Sequence, residues 1–240
     1  MIIFSGLICA LLGNGYSQQG TLAKPELCVK QTVEFKIDGT GTATEWNQTD
    51  WVMLPKQEGE ADFVTKMKTL YSESGIYFLF QCEDQRLTAT IEEDFGSLFK
   101  EDVVEVFLRP DTALPIYLEY ELSPLNYELP LLIVNTNGAF NGWRPNSYAG
   151  DRKVVHATSV QDGKRVSGAS ISGWTGEIFV PFRLLQPLVR EKPEPGAIWK
   201  ANFYRIDYDK GYTSWTWAPT TPQVRGSFHE MEKFGALIFE

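Results

Sequence analysis

Polar and apolar residues alternate along most of this chain with a period of two, the repeat of a half-buried β-strand. Thr32-Val33-Glu34-Phe35-Lys36-Ile37 has this pattern, and so does the stretch 63–71. Gly75-Ile76-Tyr77-Phe78-Leu79-Phe80-Gln81-Cys82 is more continuously apolar, which predicts a strand covered on both faces. Asp102-Val103-Val104-Glu105-Val106-Phe107-Leu108 and Ile116-Tyr117-Leu118-Glu119-Tyr120-Glu121-Leu122 each set carboxylates on one side of an otherwise apolar strand. Residues 154–160 and 165–171 flank Gln161-Asp162-Gly163-Lys164, and Asp-Gly between two such runs predicts a hairpin. Gly173-Trp174-Thr175-Gly176-Glu177-Ile178-Phe179-Val180 runs into Pro181, which cannot donate to a ladder. Residues 198–207, 213–217 and 234–239 complete the set. No long segment has the 3.6-residue period of a helix; Phe182-Arg183-Leu184-Leu185-Gln186 suits one turn before Pro187. Roughly a dozen short strands divided by turn signals predict an all-β sandwich or barrel rather than a βαβ fold.

The start of the chain departs from this pattern. Residues 1–13, MIIFSGLICALLG, are almost all apolar or small, and small residues at Gly15 and Ser17 precede Gln18. That is the form of a signal peptide spanning 1–17, too short for the roughly 20 residues of a spanning helix. Export is the expectation, to the periplasm, the cell surface or the medium. Residues 18–31 then read as an N-terminal extension and 32–240 as one domain, with no internal repeat or linker.

A formal net charge of −9 over 240 residues argues against nucleic acid, which is gripped through clustered Lys and Arg. No membrane-surface stretch is evident either. Cys28 and Cys82 remain after cleavage, and sequence alone allows a disulfide or two buried thiols. Asn47-Gln48-Thr49 is a glycosylation sequon, relevant only in a eukaryotic secretory route. The common metal and nucleophile motifs are absent: Cys-x-x-Cys, His-Glu-x-x-His and Gly-x-Ser-x-Gly do not occur. Two histidines, His156 and His229, with Met53, Met67 and Met231 are the only material for a haem site, and ordinary packing accounts for them as well. Glu105, Glu119 and Glu121 offer the carboxylates of a glycosidase, of a hydroxyl-binding surface, or of a solvated face.

Aromatic residues make up 13% of the chain. Tyr77, Phe78, Phe80, Phe107, Phe179, Trp199 and Phe239 fall in strand runs and suit a core. Phe99, Trp143, Trp215, Trp217 and Phe228 fall where a sandwich places loops or strand ends, and Trp215 and Trp217 share a strand face at i, i+2. An aromatic face matches the C–H-rich face of a pyranose while nearby Arg, Glu and Asn take its hydroxyls.

The ordered set of motifs resembles family 9 carbohydrate-binding modules. Phe99-Lys100-Glu101-Asp102-Val103-Val104-Glu105-Val106-Phe107 is similar to the family's W-x-x-D-x-V-E-x-F strand. Asp38-Gly39 with Trp46, the run from Ile76 to Asp84, Ile178-Phe179-Val180-Pro181-Phe182, and Phe228-His229-Glu230-Met231-Glu232-Lys233-Phe234-Gly235 follow in the family's order. Tyr117-Leu118-Glu119-Tyr120-Glu121 resembles the Tyr-x-Glu-x-Glu strand of a family-9-like branch. The resemblance implies an antiparallel β-sandwich of immunoglobulin-like or jelly-roll, DOMON-like type that binds carbohydrate without catalysis, often beside a separate glycoside hydrolase. It places the family's two clamp tryptophans at Phe99 and Phe228, its polar glutamate at Glu105, its arginine at or near Glu119, and its late-strand glutamine at Arg205. On that placement Glu119 and Arg205 would exchange roles across the site. With Trp215 and Trp217, these are the expected carbohydrate-binding residues. The resemblance also implies structural calcium, for which no ligand set is matched here.

Overall fold

The computed structural model describes residues 24–136, 139–146, 148–186, 188–189, 191–224 and 227–240; the expected signal peptide and Pro187 lie outside them. The strands, in chain order, are β1 Glu26–Gln31, β2 Val52–Met53, β3 Lys56–Glu58, β4 Thr65–Tyr71, β5 Gly75–Glu83, β6 Val103–Arg109, β7 Ile116–Leu122, β8 Glu128–Thr136, β9 Ala139–Pro145, β10 Val155–Gln161, β11 Gly173–Pro181, β12 Ile198–Asp207, β13 Thr213–Thr216 and β14 Gly235–Phe239. Between them, among the described residues, only one-turn 3-10 segments occur.

Two sheets face each other. One runs β1-β14-β12-β6-β7-β8-β9, with β13 beside the later half of β12; the other runs β1-β4-β5-β11-β10. Their inner faces interdigitate in one largely apolar layer. Val104, Val106, Leu108, Tyr120 and Phe203 come from the first sheet, and Phe78, Phe80, Trp174, Ile178 and Val180 from the second. This is a β-sandwich, one of the two all-β forms that the alternation allowed and the one that the resemblance implied.

β1 was expected to belong to an extension outside the domain. Instead it joins the two sheets, pairing parallel with β14 through Glu26–Val29 and with β4 through Lys30 and Gln31. The strand expected at 32–37 does not form. Its alternation is used differently: Phe35 and Ile37 pack on Tyr77, Leu79 and Trp46, covering the outer face of the second sheet, so the backbone finds no strand edge.

The expected Asp162-Gly163 hairpin is also absent. β10 pairs with β11, and residues 165–171 fold back onto 85–87, with Leu87 N–H bonding Ala169 O and Ile171 N–H bonding Gln85 O. β8 and β9 were not anticipated. Pro130 interrupts the β8 run and Pro145 closes β9, and proline argues against a strand interior.

Candidate functional site

Residues opposite one another across a ladder point to the same face of the sheet. Following the register from β12 to β9 places three rows on the outer face of the first sheet. They are Tyr204–Glu105–Glu121–Leu129, Asn202–Phe107–Glu119–Leu131–Pro145, and Tyr117–Ile133–Trp143. A second apolar cluster forms here from Phe107, Tyr117, Leu129, Leu131, Ile133 and Tyr204, roofed by Leu98 and Phe234 with Phe228 and Met231 packed against it. Three glutamates therefore stand side by side in the middle of a largely apolar floor.

Glu105, Glu119 and Glu121 are all buried. Both carboxyl oxygens of Glu121, and Oε2 of Glu119, have no hydrogen-bond partner. Buried acceptors without donors cost on the order of 1–3 kcal/mol each. Burial raises the Glu119 carboxyl to about 7, and its interaction with the neighbouring Glu121 carboxyl partly opposes the rise. Burial, together with repulsion from Glu119, raises Glu105 well above the carboxylate range. Glu121 is raised by burial and then by both neighbours, and the Phe99 backbone N–H acts in the other direction. His229 Nδ1 shares a 2.7 Å hydrogen bond with the Tyr117 hydroxyl and lies 3.8 Å from Glu119 Oε2. Burial lowers this imidazole to about 4, so at neutral pH the approach to Glu119 is not an ion pair.

The two ends of the glutamate row are framed by phenylalanines. Phe228 stacks on Tyr204 with ring centroids 4.0 Å apart and planes within 10°. Its loop is pinned from below: the Tyr204 hydroxyl donates to Phe228 O at 2.8 Å, and Asn135 Nδ2 donates to His229 O at 2.7 Å. Phe99 lies in the turn Leu98–Lys100, which packs on β7 beside Glu121 and is anchored by buried Leu98; its own ring is 43% exposed. Asp102 fixes that turn relative to β12, accepting the backbone N–H of Thr88 at 2.5 Å and of Tyr208 at 3.0 Å. Two surface clefts elsewhere, one lined by Lys66, Gln81, Glu83 and Gln161 and one by Gln31, Glu34, Gln48 and Glu73, include no aromatic side chain.

Residues 37–240 match the family model described as carbohydrate family 9 binding domain-like. The chain belongs to this family. Three solved structures share the module's fold. A protein from Bacteroides uniformis ATCC 8492, provisionally described as carbohydrate-binding, is 17% identical with a TM-score of 0.72, covering 91% of this chain and 100% of the other. A family 9 module from Caldicellulosiruptor kristjanssonii in complex with cellotriose is 14% identical with a TM-score of 0.63, covering 90% and 94%. A family 9 module from that organism in complex with glucose is 15% identical with a TM-score of 0.62, covering 90% and 96%. No curated protein matches the chain in sequence.

The module's geometry divides the expected residues in two. Phe99, Glu105, Glu119 and Phe228 share one face, and Glu121 joins them. Arg205, Trp215 and Trp217 do not. Arg205 points into the core, wholly buried, with Nη2 2.7 Å from Asp207 Oδ2 and 3.2 Å from Asp84 Oδ2, and with Nη1 bonded to Glu83 O and Thr65 Oγ1. Trp215 and Trp217 are buried in the inter-sheet core; Arg205 lies over the Trp215 ring at 4.8 Å. The expected exchange of roles between Glu119 and Arg205 fails for the same reason, because the two lie on opposite faces. On β12 the outward residues are Asn202 and Tyr204, which sequence reasoning missed.

Cys28 and Cys82 are both free, the first exposed and the second buried. Of the histidines, His156 Nδ1 bonds Asn126, and His229 stacks on Phe107 and Phe140. The carboxylates of Asp84, Asp207 and Asp209 lie close enough together to suggest a cation. A cation of the protein's own already stands among them: the Arg205 guanidinium bridges Asp84 and Asp207, while the Thr88 hydroxyl and the Gln85 N–H bond Asp209.

Proposed function

We propose that this chain is a non-catalytic carbohydrate-binding module that receives a sugar ring above Glu105, Glu119 and Glu121, framed by Phe99 and Phe228. One observation supports this most directly: buried carboxyl oxygens without donors occupy the middle of an apolar face flanked by aromatic rings. A pyranose supplies what both halves need, hydroxyl donors for the carboxylates and C–H faces for the rings. The arrangement also speaks against hydrolysis. A glycosidase sets its two carboxyl groups on opposite sides of the scissile bond, whereas these three stand on adjacent strands beneath one side of any bound ring.

The cellotriose and glucose complexes of the structural relatives suggest the first ligands to try. Isothermal titration against a panel of mono- and oligosaccharides tests the reading, with heat expected from the parent protein and none from Phe228→Ala. A parent protein silent with every sugar, or Phe228→Ala indistinguishable from it, defeats the reading. We also infer that residues 1–17 direct export and that the module assists a separate glycoside hydrolase in degrading polysaccharide. N-terminal sequencing of the mature protein, expected to begin at Gln18, tests the export part.

A further inference from the structure

The glutamate row does not end the aromatic surface on this face. Phe140 and Trp143 of the edge strand β9 are 45% and 50% exposed, unusual for side chains of this size on a strand. The register sets both on the same face as the glutamates: Trp143 opposes Ile133, and Phe140 opposes Asn135 after a bulge at Val134. Phe140 is tied to the clamp, because its ring stacks on His229 at 4.5 Å, and His229 follows Phe228 in the chain and approaches Glu119. Aromatic side chains thus extend from the proposed ring site to the sheet edge: His229 and Phe140 stack beside the clamp, and Trp143 stands on the same face of β9, one row nearer the glutamates than Phe140. At about 3.3 Å per residue and about 4.8 Å per strand, Trp143 lies about 12 Å from Glu119, beyond the reach of one ring seated over the glutamates.

We propose that β9 is a second subsite, so that the ligand is a glycan chain of at least two or three sugars whose distal ring stacks on Trp143. This rests on the ring-site reading above. It fits a neutral glycan, since an exposed indole such as Trp143 takes the C–H face of a sugar ring rather than a charge. Continuity with the ring site favours this occupant over a second copy of the chain pairing through the β9 edge.

Titrations of glucose and cellotriose into the parent, Trp143→Ala and Phe228→Ala proteins test it, with sedimentation of each to report mass. Both Trp143 and Phe140 are exposed, so their loss leaves the core intact. The expected result is roughly a tenfold loss of cellotriose affinity in Trp143→Ala with glucose affinity unchanged, against loss of both sugars in Phe228→Ala. Equal effects of Trp143→Ala on the two sugars, no effect on either, or a parent dimer that becomes a monomer in Trp143→Ala overturns the subsite. If Phe228→Ala leaves both affinities untouched, the ring site itself is wrong, an outcome distinct from failure of β9 alone.

Discussion

Replacing Glu119 by Gln tests whether the glutamate cluster is held away from water. In the folded protein, burial puts the Glu119 carboxyl at about 7, while its ordinary value is 4.5. An acid whose folded value is raised keeps its proton where the unfolded chain has lost it. Stability is therefore fullest below the unfolded value and falls as pH rises toward the folded one. At about 1.4 kcal/mol per pH unit, the window from about 4.5 to 7 removes roughly 3 kcal/mol through this one group. Glu105 and Glu121 are raised in the same direction and steepen the fall. Glu119→Gln keeps the shape and removes the ionisation. The variant should match the parent within about 1 kcal/mol near pH 4.5 and exceed it by up to about 3 kcal/mol near pH 8. Urea denaturation followed by tryptophan fluorescence at both pH values measures the difference. Parallel pH profiles for the two proteins, or a parent whose stability does not fall across the window, would show that the carboxylates are solvated and ionised, and the reasoning would be wrong. The same substitution should weaken sugar binding, because an amide offers one acceptor where a carboxylate offers two, so a gain in stability would accompany a loss of function.

Other predictions concern the frame around the site. Arg205→Ala should cost about 3–5 kcal/mol of stability by leaving Asp84 and Asp207 buried without their cation, with sugar affinity unchanged wherever the protein stays folded; a selective loss of binding would return Arg205 to the site. Tyr204→Phe removes the hydroxyl that holds Phe228 O and should weaken sugar binding severalfold at a cost of about 1 kcal/mol, read by titration and by thermal melting. In the chain beginning at Gln18, a thiol reagent should modify Cys28 in the native protein and reach Cys82 only after unfolding, since Cys82 is enclosed and its thiol pushed up to about 12. Mass spectrometry that found Cys82 labelled under native conditions would contradict its burial.

The period-two pattern was enough to read an all-β sandwich or barrel, because each strand needs one face covered and the polar residues mark the other; the family resemblance chose the sandwich. It also grouped Glu105 with Phe107 on one side of their strand, and Glu119 with Glu121 on one side of theirs. Phe99 and Phe228 could not be read that way, since both lie outside regular strands; they stood out as aromatics at loop positions, and the family's motif order gave them their places in the site. β8 and β9 were missed because Pro130 and Pro145 look like strand breakers. The first is tolerated where β9 pairing ends, and Pro130 O still takes the Asn146 N–H.

The sequence by itself determined the sets into which each strand divides: Asn202, Tyr204 and Ile206 on one side of β12, Ala201, Phe203 and Arg205 on the other. Only the tertiary structure decided which set faces the ligand. Both sides of this strand are covered, one by the opposing sheet and one by the Phe228 loop and Leu98, so polarity no longer marks the exposed face. Arg205 has the chemistry of a sugar ligand, but it turns inward to two aspartates. Tyr204, which has the chemistry of a core residue, forms part of the floor of the site. A period of two fixes relative direction, and absolute direction is set by what packs against each face.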